Sequence, residues 1–253
     1  LVVFEQPPRQ TAEIPLRADI GTGSYDCIKA EFLCSIKEFF DIKHIGITKN
    51  ALLHFVQIPR NVGFNRVEAA GFELDKMIQD GDILGVSGFT LAGYPKAVPL
   101  ALAARAEKLH AAGTPFQVTL YAGASTGDSC DGALSRAGAL KLRMPYQSNP
   151  SLRKGINDGS IRYIDAHLGK MGYLVRTGAV PAPTVAVIEV SAILPDGRVC
   201  LSTSGGNSVC YLDMAPKIIL ELNTRLGESC VGMHDDALPE LPPHAKPLPV
   251  YSA

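Results

Sequence analysis

The sequence predicts an α/β fold: a doubly wound, mainly parallel sheet with helices on both faces, preceded by an irregular N-terminal extension. Three observations predict it. TVAVIEV at 184–190 and KIILEL at 217–222 are nearly continuous apolar runs, the pattern of strands buried on both faces of a parallel sheet. Between residues 65 and 232, short apolar runs alternate with segments of helical period, as in crossover units. The stretch VSGFTLAGYPKAVP at 86–99 then joins a strand to a helix through a turn of small residues, where open α/β sheets bind ligands.

Taken in order, residues 1–64 mix Pro, Gly, Cys and aromatic residues without a sustained period and are expected to be irregular. Gly21 and Gly23 resemble the start of a dinucleotide-binding loop, but Asp26 stands where the third glycine belongs. Val67, Ala70, Leu74 and Ile78 recur at helical spacing up to Asp80 and Gly81, and a strand is predicted over 83–86. Gly88 and Gly93 permit close approach of a ligand to the backbone, and Pro95 and Pro99 suit a first helical turn. Free N–H groups at that helix start favour an anion or a polar acyl group. Val98, Leu102, Ala106 and Leu109 stripe the helix, which Gly113, Thr114 and Pro115 end. A strand follows over 116–121, a small-residue turn over 123–127 and a helix starting near Asp128. After a polar loop over 145–150, a helix is predicted over 151–158. Asp196 and Gly197, between the two long apolar strands, predict a hairpin turn and a small antiparallel excursion. From His234 onward, Pro239, Pro242, Pro243, Pro247 and Pro249 suit an extended linker. The expected organisation is thus an extension over 1–64, an α/β domain over 65–232 and a Pro-rich, truncated linker over 233–253.

With 253 residues, 46% of them hydrophobic, the chain can bury a sizeable core, and a net charge of −1 offers no electrostatic reason to expect nucleic acid or an anionic membrane as partner. No apolar run is long enough to span a bilayer, and the N-terminus does not resemble a signal peptide, so an intracellular, cytoplasmic location is expected, or a mitochondrial one in a eukaryote. Cys27, Cys34, Cys130, Cys200, Cys210 and Cys230 show no C-x-x-C pair and no histidines at zinc spacing, which points to reduced thiols and no metal.

The residues after each predicted strand are polar and small: Ser87 to Thr90, Gly123 to Gly127, Glu189, Ser202 to Asn207, and Asn223 with Arg225. Together they could line a cleft for an acyl or carboxylate group; singly, Gly, Ser and Asn are also ordinary turn formers. Gly123 to Gly127 matches G-x-S-x-G, and Ser125, Asp213 and His234 follow in the chain order of an α/β-hydrolase triad. Glu189, at the end of an apolar strand, could attack a thioester if burial raises its pKa; the plainer reading pairs it with a lysine or a backbone donor. Lys96 could set a positive charge near an anionic ligand or lie in solvent on the helix, and His167 could be an acid, a base or a helix cap.

The motifs VSGFTLAGYPKAVP at 86–99, LYAGASTGDSCDGAL at 120–134, RMPYQSNPSLRKGINDGSIRYIDAHL at 143–168, VAVIEVSAILPDGR at 185–198, STSGGN at 202–207 and DMAPKIILELN at 213–223 resemble the acetyl-CoA hydrolase and transferase family, which includes succinyl-CoA:acetate and propionyl-CoA:succinate CoA-transferases. The stretch at 232–250 is similar to that family's interdomain connection. The resemblance implies transfer of coenzyme A between short-chain acyl thioesters (acetyl, propionyl, succinyl) and free carboxylates in acetate metabolism, through an acyl–glutamyl anhydride. It implies no metal and no permanently bound cofactor, the coenzyme A thioester being substrate. The nucleophilic glutamate and the glycine-rich coenzyme A loop belong to the family's C-terminal domain, so the expected partners are that domain, acyl-CoA, short carboxylates and, as a further assembly, a homo-oligomer. What carries over to this chain is the substrate-facing half: Gly88, Phe89 and Thr90; Gly93, Tyr94 and Lys96; Ser204, Gly205, Gly206 and Asn207; and Arg225 as a carboxylate or interdomain contact. Two other readings remain, a binding or assembly module without catalysis and a hydrolase using Ser125.

Overall fold

A computed structural model describes residues 2–5, 74–193, 199–231, 233–234 and 241. Eight strands form one sheet: β1 (Val2–Glu5), β2 (Ile83–Val86), β3 (Val118–Tyr121), β4 (Leu140–Met144), β5 (Arg162–Tyr163), β6 (Val185–Ile193), β7 (Val199–Leu201) and β8 (Lys217–Leu222). Their spatial order is β1-β8-β6-β2-β3-β4-β5, with β7 added to β6. The inner pairings are parallel; β1 on β8 and β7 on β6 are antiparallel. From β2 the chain builds outward through β3, β4 and β5, then returns to lay β6 on the opposite side of β2. The β2–β6 boundary is therefore the sheet's switch point, where crossovers diverge to opposite faces and leave a crevice at the carboxyl ends of the strands.

Among the described residues, six helices cover the sheet: α1 (Leu74–Met77), α2 (Ala97–Ala111), α3 (Ala133–Arg136), α4 (Pro150–Asn157), α5 (Leu168–Arg176) and α6 (Ser208–Met214). Alternate side chains of β6 enter separate cores: Val185 and Val187 pack with α2, α3 and α4, whereas Ala186, Ile188 and Val190 pack with α5 and α6. Both faces are thus dry, which is why TVAVIEV and KIILEL read as unbroken apolar runs. Leu102 of α2 is fully buried in the first core, and truncating it to alanine costs about 2–5 kcal/mol. Asn149 accepts from the N–H groups of Ser151 and Leu152 at the start of α4, with Pro150 as the first helical residue, so the tail of the predicted polar loop is this helix's cap.

Several elements depart from the pattern reading. β4, α5 and α6 do not stand out in sequence: Lys141 and Arg143 interrupt the apolar run of LKLRM, Gly169 and Gly172 dilute the helical signal of α5, and SVCYLDM is rich in weak helix formers. The helix expected near Asp128 opens as a π-helical turn, Asp128–Gly132, before α3. The strand expected over 184–190 runs on to Ile193, and β7 pairs with that added length; the turn at 196–197 lies outside the described residues. Within the stretch expected to be irregular, Val2–Glu5 forms an edge strand on β8. Residues 6–73 and most of the Pro-rich tail lie outside the described residues.

Candidate active-site crevice

The crevice at the switch point starts with Ser87, fully buried just beyond β2. Its hydroxyl donates to the Gly93 carbonyl at 2.7 Å and accepts the Glu189 N–H at 2.8 Å, tying β2, the following loop and β6 together. The chain then makes a tight turn in which Phe89 and Ala92 exchange backbone hydrogen bonds of 2.9 and 3.0 Å. Thr90 and Leu91 form the tip. Thr90 has φ 55°, the only non-glycine left-handed residue among those described, and a β-branched side chain makes that conformation a genuine strain. Its hydroxyl donates to the Phe89 carbonyl at 2.6 Å. Phe89 and Leu91 are exposed beside it. The return limb is close-packed: a Cβ on Gly93, which has φ +62°, would lie 2.6 Å from Ser204 Oγ.

Three charges underlie this loop. Lys96 Nζ donates to Glu189 Oε2 at 2.5 Å and to the Tyr94 carbonyl at 2.6 Å, and sits 4.3 Å from the centre of the Tyr94 ring. The Glu189 side chain is only 2% exposed, so the sequence's candidate nucleophile is a buried partner of lysine. Beside it in register on β8 lies Glu221, fully buried, whose carboxylate accepts the N–H groups of Lys96, Ala97 and Val98 at 2.6–3.1 Å. The first turn of α2 contains no acidic residue and Lys96 makes no side-chain cap, so a strand carboxylate over a hundred residues away does both jobs. Burial pushes the Glu221 carboxyl above the ordinary range; the three backbone N–H donors pull it back, and the neighbouring Glu189 charge pushes it up again.

Other loops close around the same edge. The Gly88 carbonyl is so near the next loop that a Cβ on Gly123 would stand 1.7 Å from it. Tyr94 Oη lies 3.0 Å from Ser129 Oγ and over Gly127, where a Cβ would meet it at 2.1 Å. Ser204 Oγ donates to the Ala92 carbonyl at 3.0 Å, the Gly205 carbonyl accepts from Ser208, and Gly206 faces the Gly88 carbonyl. Ser202 Oγ and Asn207 Nδ2, at either end of this loop, are buried without a hydrogen-bond partner. Arg225 is exposed beyond β8, with its N–H held by Asn223 Oδ1 at 3.2 Å. The 88–96 and 202–207 loops thus meet at the mouth of the crevice.

The serine reading finds different partners. Ser125 Oγ is 3.0 Å from Ser148 Oγ and accepts the Ser148 N–H at 3.2 Å, whereas the ring of His234 bonds the Ser202 carbonyl through Nε2. His167 is the exposed residue preceding α5 and makes no side-chain cap.

Two arrangements escaped the sequence. Glu221 carries the signal that singled out Glu189, a lone carboxylate near the end of an apolar strand. Asp131 and Arg143 form a fully buried pair, with Nε to Oδ1 at 2.8 Å and Nη2 to Oδ2 at 3.1 Å, and Arg143 Nη1 also donates to the Met144 carbonyl. Burial opposes the charge on Arg143, but Asp131, with smaller contributions from Cys130 and Tyr211, offsets it and the guanidinium pKa stands above its usual value. Asp131 Oδ2 also accepts the Thr126 N–H at 2.9 Å, so the pair shapes the loop beneath Tyr94.

Residues 60–242 match the acetyl-CoA hydrolase/transferase N-terminal domain. The chain is 41% identical over 177 residues to the succinyl-CoA:acetate CoA-transferase of Clostridium kluyveri, covering 70% of this chain and 32% of the relative. It is 40% identical over 181 residues to the propanoyl-CoA:succinate CoA transferase of Escherichia coli, covering 72% and 37%. With the acetyl-CoA hydrolase of Schizosaccharomyces pombe it shares 35% over 176 residues, covering 67% and 33%. The chain spans about a third of the length of these curated relatives. A mainly parallel sheet with its switch point between β2 and β6, and a match extending over most of the chain, lead to one conclusion: the protein belongs to the acetyl-CoA hydrolase/transferase family, through its N-terminal domain.

Proposed function

We propose that this crevice is the acyl- and carboxylate-binding half of a site that moves coenzyme A between a short acyl thioester and a free carboxylate, or to water. The observation that carries the reading is Thr90, a strained residue at an exposed tip, on the loop that rises from the switch point. Strain of this kind costs about 1–3 kcal/mol and persists where a function uses the geometry. Supporting it, Ser202 Oγ is buried and unpartnered on the facing loop, and a ligand oxygen would satisfy its donor there. Arg225 supplies an exposed cation at the same edge for a carboxylate.

In this reading the chain's residues bind and orient, and the nucleophile comes from the complementary C-terminal domain. Glu189 and Glu221 are both buried; Glu221 holds both oxygens on the start of α2, and Glu189 has its Oε2 engaged by Lys96, which supports internal roles for both. Acetyl, propionyl and succinyl groups are the acyl class, taken from what the relatives' names say those proteins act on.

The test is a titration of the isotope-labelled chain with succinate and with acetyl-CoA, each to about 10 mM, well above usual enzyme KM values. Amide signals of residues 88–96 and 202–207 shift, and Thr90→Val with Arg225→Ala weakens the effect. Shifts confined to other residues, or none with either ligand, overturn the reading.

A further inference from the structure

We infer that Glu189 is a positioning residue: with Lys96 and Ser87 it fastens the 88–96 loop to the sheet and so holds Thr90 in its strained conformation. The inference rests on the proposed function for what Thr90 touches, but the fastening is a property of the chain itself.

Glu189 acts on the loop at two points. Its carboxylate takes the Lys96 ammonium at 2.5 Å, and its backbone N–H is received by Ser87 Oγ, which itself donates to the Gly93 carbonyl. The same ammonium donates to the Tyr94 carbonyl at 2.6 Å. Lys96 is pinned at both ends, because Glu221 accepts its backbone N–H at 2.6 Å. The loop is therefore anchored at 87, 93, 94 and 96, with the Ala92 carbonyl also taking Ser204 Oγ at 3.0 Å, and only the tip between Phe89 and Ala92 projects.

A threonine at positive φ reverts to an ordinary region of backbone space when its neighbours are free to follow. It stays only where the surroundings over-determine it, and here the surroundings are these anchors. An ion pair suits the task better than apolar packing, since its hydrogen bonds fix direction as well as distance. The pair is also intolerant of losing one member, because the other is left charged in a buried place. With its side chain 2% exposed and its Oε2 bonded to lysine, Glu189 is held in the sheet edge as a structural partner of the loop.

The experiment uses the full chain as wild type, Glu189→Gln, Lys96→Met and Lys96→Arg. Backbone 15N relaxation gives order parameters at Thr90 and Leu91, where about 0.85 marks a rigid backbone and below about 0.6 a flexible one. Both substitutions that remove a charge drop these residues into the flexible range, with Leu120 of β3 unchanged as an internal control, and Lys96→Arg keeps them rigid. In parallel, the Kd for succinate rises at least about tenfold in Glu189→Gln and stays near wild type in Lys96→Arg.

Order parameters at Thr90 and Leu91 that match wild type in both Glu189→Gln and Lys96→Met overturn the inference. So does equal loosening of Leu120, which would mark a general loss of stability. A covalent coenzyme A or acyl adduct on Glu189, found by mass spectrometry after incubation with acetyl-CoA, overturns it as well. If the tip loosens as stated while succinate leaves residues 88–96 of the wild type untouched, the fastening stands and the ligand reading falls.

Discussion

Replacing Glu221 by alanine removes the acceptor shared by the N–H groups of Lys96, Ala97 and Val98 at the start of α2. Ala97 and Val98 are 5% and 3% exposed, so water cannot simply take the carboxylate's place. A buried donor left unsatisfied costs about 1–3 kcal/mol, and loss of a helix cap alone typically costs about 1. Partial relaxation of α2 recovers some of the loss. The expected destabilisation is about 3–5 kcal/mol for Glu221→Ala and about 2 for Glu221→Gln, which keeps one acceptor oxygen. This is a large share of the ~5–15 kcal/mol that holds an ordinary domain together. Urea unfolding followed by circular dichroism measures it as a fall in midpoint at unchanged slope.

The pH dependence of the same measurement carries a sign. Burial raises the folded carboxyl's pKa above its ordinary 4.5, so the folded state keeps a proton that the unfolded state releases. The contribution is fully present below about pH 4.5 and is lost as pH climbs through the raised value. The wild type's margin over Glu221→Gln therefore narrows as pH rises from about 4.5. Glu221→Ala within about 0.5 kcal/mol of wild type, the scatter of ordinary surface substitutions, refutes the capping role. A margin that widens with pH refutes the assignment of burial as the dominant influence on the carboxyl.

Two other measurements test the remaining buried chemistry. Arg143→Met or Asp131→Asn alone leaves a charge buried and unpaired, costing about 3–5 kcal/mol in urea unfolding, whereas the double variant costs clearly less than the sum; strict additivity contradicts a paired role. The Cys130 thiol, buried and pushed up to about 12 by burial and by Asp131, reacts with iodoacetamide at pH 8 at least about a hundredfold more slowly in the folded chain than in urea, and equal rates would show that the π-helical turn opens freely.

The sequence alone determined the strands that form the middle of the sheet. Apolar runs such as 184–190 and 217–222 have no way to hide both faces except under helices on both sides, and that physical demand can be read without coordinates. It also marked the loops that pack together at one edge of the sheet, because Gly88, Gly93 and the small residues at 123–127 and 202–207 are places where backbone must come close to something. The glycines were legible, but what they approach was not: Gly123 makes room for the Gly88 carbonyl and Gly127 for the Tyr94 hydroxyl, contacts between segments distant in sequence.

Only the tertiary structure decided the roles of the charged groups. Glu189 in sequence is a candidate nucleophile or, on the plainer reading, a partner of some lysine or backbone donor; strand register sets it beside Glu221, and the return of the 88–96 loop delivers Lys96 to it. Arg143 reads as a break in a strand until Asp131 arrives from the π-helical turn to neutralise it. A helix cap supplied by the chain's own neighbouring residue is a local pattern and visible in sequence, as Asn149 and Pro150 show for α4. The cap on α2 comes from β8, so no window of sequence contains both halves. Hydrophobic periodicity repeats along the chain and accumulates as a readable signal, while the pairing of single charges depends on distances that exist only after the sheet has closed.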